Sequence, residues 1–391
     1  MEERASPKGG SLYLPTFDGV RGFVVIAIVC AHLRLLADYV PNHDVPLWLS
    51  RGMFFSVDLL FVISAFVLFL PMAARGEVGS KRAFALKRIG RIVPNYYVSL
   101  VVAVLIMTFT TLGPAANLPA PSAKDVVLHM LFIHLETATY IGLGVHAVVW
   151  ALSIIVIFYL LVPFVALAFR RHPFRWIAGA LVISALWRAG VDQGDRRLYV
   201  EFPLFLDDFA IGMGAALAYI ELRRRNLAER LRRLSLPVVA VAGLALATCV
   251  CLGGRQLQLG QVIHQGEAVP ISIGVALSFA TLVVASAFLP AWAQWPLANR
   301  FSRWLGEVSY GVFLYHVFIG YAVADALDLG GVGNAQGFLL LVVTVVPLSL
   351  LVSWVSYVTV ERPLRERMRR FAKRYERPRE KAEMPAVGAE A

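Results

Sequence analysis

The clearest chemical signal in the sequence is an arginine and a histidine at the two ends of one apolar run. Arg21 and His32 are eleven residues apart. On a helix this spacing puts both side chains on one face, about 16 Å apart along the axis. A cation and a titratable base inside lipid are costly unless they face a cavity or a partner. The pair therefore indicates a tunnel with His32 as a general base; the alternative is a histidine that only packs within a bundle.

A carboxylate in the next apolar run, Asp58, is expected at a depth similar to that of His32. A carboxylate that accepts a hydrogen bond from one imidazole nitrogen fixes the tautomer and raises the basicity of the other nitrogen. We therefore predict that Asp58 orients His32. The alternative is a pair that only holds two helices together.

Two further groups lie in or beside apolar runs. Arg88 and Arg91 are three residues apart at the start of a helix, so they point the same way. Two guanidiniums can bind phosphate through paired hydrogen bonds, although membrane topology alone also places basic residues here. His316 lies within a later apolar run with Tyr310 and Tyr315. These three side chains line a cavity, or His316 simply bonds a neighbouring carbonyl.

Metal and nucleotide chemistry have little support. His129 and His134 are five residues apart, a spacing that does not put two ligands on one helix face, and no cysteine is near them. The sequence contains no P-loop, no glycine-rich dinucleotide motif and no nucleophile-elbow motif. We expect no metal site, no nucleotide hydrolysis and no serine-esterase chemistry.

The elements that must position these residues are membrane-spanning helices. Of the 391 residues, 58% are hydrophobic and only 16% are charged, whereas soluble domains carry about 25% charged residues. A helix needs about 20 apolar residues to cross the bilayer core. The sequence predicts an all-α polytopic bundle of about ten transmembrane helices. The expected spans are 20–37, 52–71, 92–112, 147–169, 175–190, 205–222, 236–253, 270–290, 308–328 and 336–360.

The basic residues orient this bundle. Most of the 37 lysines and arginines fall in segments on the same side as the N-terminus when the number of spans is even. The positive-inside rule then places both termini in the cytoplasm and predicts a multi-pass protein of the inner (cytoplasmic) membrane. Because the net charge of +11 lies in these segments, no nucleic-acid partner is predicted. We expect a cytoplasmic N-tail over 1–13, a transmembrane domain over 14–365 and a charged cytoplasmic tail over 366–391, disordered at its end.

Several motifs, taken in chain order, together resemble those of one enzyme family. They are Arg21 with His32, the block around Asp58, Arg88-Ile-Gly-Arg91, Trp150-Ala-Leu-Ser153 followed by Phe158-Tyr159, Ser309-Tyr310 with Tyr315-His316, and Val360-Glu361-Arg362-Pro363. The pattern resembles membrane-bound acyltransferase family three, which includes bacterial O-antigen, peptidoglycan, nodulation-factor and antibiotic O-acyltransferases. The resemblance extends over roughly 14–365.

The resemblance implies transfer of an acyl group, by default acetyl, from acyl-CoA on the cytoplasmic side. The implied acceptor is a hydroxyl of a carbohydrate, glycolipid or secondary metabolite. In these terms His32 is the base, Arg21 is its partner in the tunnel, and Arg88 and Arg91 contact CoA phosphates. The candidate substrate-binding residues are Trp150, Tyr310, Tyr315 and His316.

One departure from the family pattern and one rival class leave alternatives open. Ile155 stands where the family usually has a glutamate, which is compatible with an inactive member. A transporter or flippase of a sugar-linked lipid would also use intramembrane charges and basic loops. Many transporters are built from repeated halves, and this chain shows no internal repeat.

Overall fold

In the computed structural model, the chain is a bundle of helices. The described residues are 14–39, 44–113, 119–133, 146, 148–190, 201–225, 228–258 and 268–376, and no strand occurs among them. Their α-helices, in chain order, are α1 (Pro15–Leu36), α2 (Asp44–Gly52), α3 (Ser56–Arg75), α4 (Lys81–Phe109), α5 (Ala123–Met130), α6 (Val149–Arg171), α7 (Pro173–Gly190), α8 (Leu206–Arg224), α9 (Ala228–Gln258), α10 (Ala268–Ser286), α11 (Ala291–Ala298), α12 (Arg300–Ala326), α13 (Ala335–Ser356) and α14 (Arg362–Lys373).

Nine helical stretches within the described ranges are long and apolar enough to cross a membrane. They confirm the prediction of an all-α polytopic bundle. The predicted span 175–190 corresponds to α7, which is helical but is not among those nine. Arg175 and Arg188 lower its apolar character, so its crossing of the membrane stays a prediction.

Local sequence explains where several helices begin, end or widen. Ser80 caps α4, because its hydroxyl accepts a hydrogen bond from the backbone N–H of Ala83 at 3.2 Å. Gly76 ends α3 in the left-handed conformation, with φ of 75°. Between α13 and α14 the helix widens into a π-turn over Tyr357–Glu361. Pro363, two residues after this turn, has no N–H to continue the normal hydrogen-bond ladder.

The helices pack with partners that are distant in sequence. The most extensive contact of α1 is with α12, and that of α3 is with α8. The contact of α1 with α3, the next long helix along the chain, is smaller. The interface that contains Arg21 and His32 is therefore formed by helices that are far apart in the chain. Arg21 and Ser309, which meet at this interface, are 288 residues apart.

Glycines allow the backbones of α1 and α12 to approach closely. A Cβ atom built on Gly306 would overlap the carbonyl oxygen of Asp18 on α1. On α1, Gly22 meets Leu305 and the backbone of Gly306 in the same way. Small residues at a helix crossing are the usual means of close packing within membranes. A methyl group at Gly306 would therefore force the two helices apart.

The variant Gly306→Ala is expected to destabilise the folded protein by about 1–3 kcal/mol, the usual cost of an overpacked contact. Thermal unfolding of the detergent-purified chain measures this effect. The matched control is Gly243→Ala on α9, where nothing lies within 4 Å of the added methyl group. Equal melting temperatures for the two variants would contradict the close approach at Gly306.

Candidate active site

Arg21 is held at the interface between α1 and α12 by three hydrogen bonds. Its Nη2 atom donates to the carbonyl oxygen of Gly306 at 2.5 Å and to Asp18 Oδ1 at 3.1 Å. Its Nε atom donates to Ser309 Oγ at 3.3 Å. The side chain is only 16% exposed. The guanidinium is thus fixed in position at the end of the interface that the basic-residue pattern assigns to the cytoplasm.

Further along the same interface, His32 lies against His316. The two ring centroids are 5.1 Å apart, with 63° between the ring planes. Because Arg21 meets Ser309 and His32 meets His316, α1 and α12 run parallel to each other. The structure therefore joins two sequence-predicted site residues that lie on different helices, and it places Arg21 on the same interface.

Backbone contacts define the tautomer of each histidine. Nδ1 of His32 lies 2.9 Å from the carbonyl oxygen of Ile28, and Nδ1 of His316 lies 3.0 Å from those of Val312 and Phe313. A carbonyl oxygen only accepts, so each Nδ1 carries the proton and each Nε2 keeps its lone pair. The Nε2 atom of His316 is buried and has no hydrogen-bond partner in the described part of the chain. His316 is fully buried whereas His32 is partly exposed, so Nε2 of His32 is the lone pair that a substrate could reach.

Asp58 is not where the sequence-based prediction put it. Its side chain is 1% exposed on α3, and its charged neighbours are Arg188, Asp207 and Asp208. His32 is oriented by its own helix backbone instead of by this carboxylate. The predicted contact between Asp58 and His32 is therefore wrong. The reason is that α3 packs mainly on α8, and Asp58 faces that helix. A catalytic role for Asp58 stays a prediction.

The cluster around Asp58 contains a buried ion pair between α7 and α8. Arg188 Nη1 and Nη2 donate to the two carboxylate oxygens of Asp207 at 2.8 and 3.0 Å. Nη2 also donates to the carbonyl oxygen of Leu204 at 2.7 Å. Both charged side chains are 1% exposed. Asp207 and Asp208 were missed by sequence reasoning, although two acidic residues at the start of an apolar helix are a visible signal.

Trp150 packs among aromatic side chains of other helical segments. Its ring centroid is 6.3 Å from that of Phe61 and 5.8 Å from that of Phe205. Phe61 is one helical turn from Asp58, so Trp150 belongs to the surroundings of the acidic cluster.

Tyr310 and Tyr315 tie α12 to α4. The hydroxyl of Tyr310 donates to the carbonyl oxygen of Ile92 at 2.9 Å. The hydroxyl of Tyr315 donates to Asn95 Oδ1 at 2.6 Å, and that of Ser356 donates to the same oxygen at 2.5 Å. Asn95 is fully buried and was not among the predicted site residues. Its signal in the sequence is an amide directly after Pro94 in an apolar helix.

Arg91 is an electrostatic neighbour of Arg21, and both Arg88 and Arg21 interact with Tyr159. The guanidinium of Arg88 is 5.4 Å from the centroid of the Tyr159 ring. Arg91 interacts electrostatically with Arg21 and with Glu361, which is 1% exposed. Cations from α1 and α4 thus meet around one tyrosine and one buried carboxylate. Tyr159 and Glu361 occur in the resembling motifs but were not assigned a role there.

The remaining predictions fall on apolar or undescribed positions. Ile155 is 7% exposed on α6, next to the fully buried Ile154. The described residues contain no group of three or more histidine, cysteine, aspartate or glutamate side chains arranged to hold a metal ion. His134, the N-tail over 1–13 and residues 377–391 lie outside the described residues. The beginning of the predicted tail belongs to α14.

Comparisons with known proteins point to the family that the motifs resemble. The chain is 24% identical over 375 residues to the peptidoglycan O-acetyltransferase OatA of Listeria monocytogenes, which covers 90% of this chain and 56% of the relative. It is 26% identical over 400 residues to the O-acetyltransferase OatA of Staphylococcus aureus, covering 94% of this chain and 59% of the relative. The chain thus spans a little over half the length of these relatives.

No solved structure gives a significant match to this chain. The family model for the acyltransferase domain of acyltransferase family 3 matches residues 14–358, most of the sequence. The geometry around Arg21 and His32 lies within this range, as do the motifs identified in the sequence except Val360-Glu361-Arg362-Pro363, which follows it directly. The chain therefore belongs to acyltransferase family 3, the family that its motifs resemble.

Proposed function

We propose that this chain is a multi-pass O-acetyltransferase of the inner (cytoplasmic) membrane. It transfers an acetyl group from acetyl-CoA, bound on the cytoplasmic side, to a hydroxyl of a cell-envelope carbohydrate. The names of the relatives support O-acetyl transfer, and peptidoglycan is the acceptor named for the Listeria protein. A peptidoglycan-like glycan is therefore the first acceptor to test, ahead of a glycolipid or a secondary metabolite.

The observation that carries this proposal is the arrangement of Arg21 and His32 on one helix interface. His32 presents a lone pair on Nε2, because its Nδ1 proton is held by Ile28. Arg21 lies three helical turns below it and within electrostatic range of Arg91. In this proposal the donor binds its phosphates at the arginines, and its long pantetheine arm reaches past the packed α1–α12 contact towards His32. Its thioester then lies near a base inside the membrane.

In the proposed reaction, Nε2 of His32 takes the proton of the acceptor hydroxyl as that oxygen attacks the thioester carbonyl carbon. The carbonyl of Ile28 stabilises the resulting imidazolium through its bond to Nδ1–H. The tetrahedral intermediate collapses, the carbon–sulfur bond breaks, and the imidazolium returns the proton to the CoA sulfur. The products are the acetyl ester and free CoA, so atoms and charges balance.

The test is acceptor-dependent release of CoA by the purified chain in lipid nanodiscs, supplied with acetyl-CoA and soluble peptidoglycan fragments. We expect free thiol to appear only when the acceptor is present, with a product heavier by one acetyl group in the mass spectrum. Binding of acetyl-CoA without turnover on any glycan, glycolipid or metabolite acceptor would indicate an inactive family member. Movement of a sugar-linked lipid without CoA release would indicate a flippase. Either outcome contradicts the proposal.

A further inference from the structure

The charged helix α14 packs against the start of α4 instead of extending freely into solvent. A Cβ atom built on Gly90 of α4 would lie 2.5 Å from Cβ of Met368 and 3.5 Å from Cα of Arg365. Ala372 is fully buried, and Lys87 forms an ion pair with Glu376 just beyond the helix end. Gly90 lies between Arg88 and Arg91, so the helices meet where the predicted phosphate-binding arginines are located.

The packing of α14 brings two more arginines to that place. Arg365 lies over Gly90, and its Nη1 and Nη2 atoms contact Glu361 at 3.4 Å and the hydroxyl of Tyr357 at 2.9 Å. Arg369, one turn further along α14, is an electrostatic neighbour of Arg88, Arg91 and Arg365. Four guanidiniums from two helices therefore surround one location.

The positive charge of this arginine cluster is larger than the negative charge of its acidic neighbours. Glu361 is a buried carboxylate beside the cluster, and Glu366 is engaged by Arg362 at 3.1 Å. The Nε atoms of Arg88 and Arg365 are buried without a hydrogen-bond partner in the described part of the chain. Like charges held close together repel one another, and buried N–H groups without acceptors cost free energy. A bound polyanion removes both penalties.

We infer that α14 completes the donor site, with Arg365 and Arg369 binding the phosphate groups of the CoA nucleotide together with Arg88 and Arg91. This inference rests on the proposed function, because CoA is the polyanion that the proposed reaction consumes. Guanidinium groups bind phosphate through paired, charge-assisted hydrogen bonds, and CoA carries both a pyrophosphate and a 3′-phosphate. Arginines from two helices can therefore contact separate phosphates.

The opposite face of α14 provides an internal control. Arg367, Arg370 and Arg374 are exposed there and line a shallow surface groove of about 460 Å³ with Phe371. These arginines point away from α4, since they lie about 140–180° around the helix from Arg365, which packs over Gly90. A charge removed from this face changes the net charge of α14 by the same amount without changing the arginine cluster.

The experiment measures CoA affinity by calorimetry for the full chain in nanodiscs of neutral lipid. We expect Arg369→Gln to weaken CoA binding about tenfold, the cost of one charge-assisted hydrogen bond. Arg370→Gln should bind CoA as the wild type does. Pantetheine, which has no phosphate groups, should bind both variants equally. The affinity of the wild type for CoA should also fall as salt rises, more steeply than that of Arg369→Gln.

Four results would overturn the inference. Arg369→Gln could bind CoA with unchanged affinity, or lose CoA and pantetheine affinity together, which would indicate a general distortion. Arg370→Gln could weaken CoA binding as much as Arg369→Gln does. Phosphatidylglycerol in the nanodiscs could displace CoA, which would show that the cluster binds lipid headgroups. In contrast, a wild-type chain that binds no CoA would overturn the proposed function as well.

Discussion

Replacing His32 with alanine is expected to lower the rate of acetyl transfer by about 10²–10⁴-fold, the usual contribution of a general base. Binding of acetyl-CoA should be retained, because Arg21, Arg88 and Arg91 are unchanged. The expected loss is in kcat, measured by acceptor-dependent CoA release at saturating donor concentration. This separation of binding from turnover distinguishes a base from a residue that only supports packing.

The control for His32→Ala is Leu35→Ala on the same helix. Leu35 is 50% exposed and lies one turn from His32 on the outer surface of α1. It should insert, fold and turn over as the wild type does. Full acetyl transfer by His32→Ala would remove the base assignment, and equal losses in both variants would show that α1 had been disturbed as a whole.

The variant Arg188→Met is expected to destabilise the protein by about 3–5 kcal/mol, the largest stability effect that the structure predicts. Methionine preserves much of the side-chain volume but leaves the Asp207 carboxylate buried without its bidentate partner. An unpaired charge in a low-dielectric interior is expensive. Unfolding by denaturing detergent, monitored by circular dichroism, measures the difference from the wild type.

Two control variants test whether the effect of Arg188→Met comes from the buried charge. The double variant Arg188→Met with Asp207→Leu should recover part of the lost stability, because both members of the ion pair are then absent while Asp58 and Asp208 remain. Arg225→Met breaks an ion pair with Glu221 whose side chains are 66% and 52% exposed, and it should change stability little. The interpretation fails if the double variant is no more stable than Arg188→Met.

Local helix geometry determined much of this protein from sequence alone. Long apolar runs predicted the polytopic bundle because a helix crossing lipid must satisfy its own backbone hydrogen bonds. The spacing of Arg21 and His32 predicted a shared face, and that of Arg88 and Arg91 predicted a paired cation site. The bundle is confirmed, and Arg21 and His32 lie on one interface, because the positions of side chains around a helix follow from its fixed rotation and rise per residue. The paired cation site stays a prediction.

Only the tertiary structure decided which helix faces meet. Sequence order suggested that His32 would pair with Asp58 on the next long helix, whereas α1 packs mainly on α12 and His32 meets His316. The residue spacing of α14 predicts amphipathic character but does not identify α4 as the surface it contacts. Contacts between helices depend on side-chain fit and on small residues such as Gly90 and Gly306, summed over the whole bundle. A local sequence pattern does not specify these contacts between helices. The partners of His32, Asp58 and Arg369 are therefore known only from the assembled bundle.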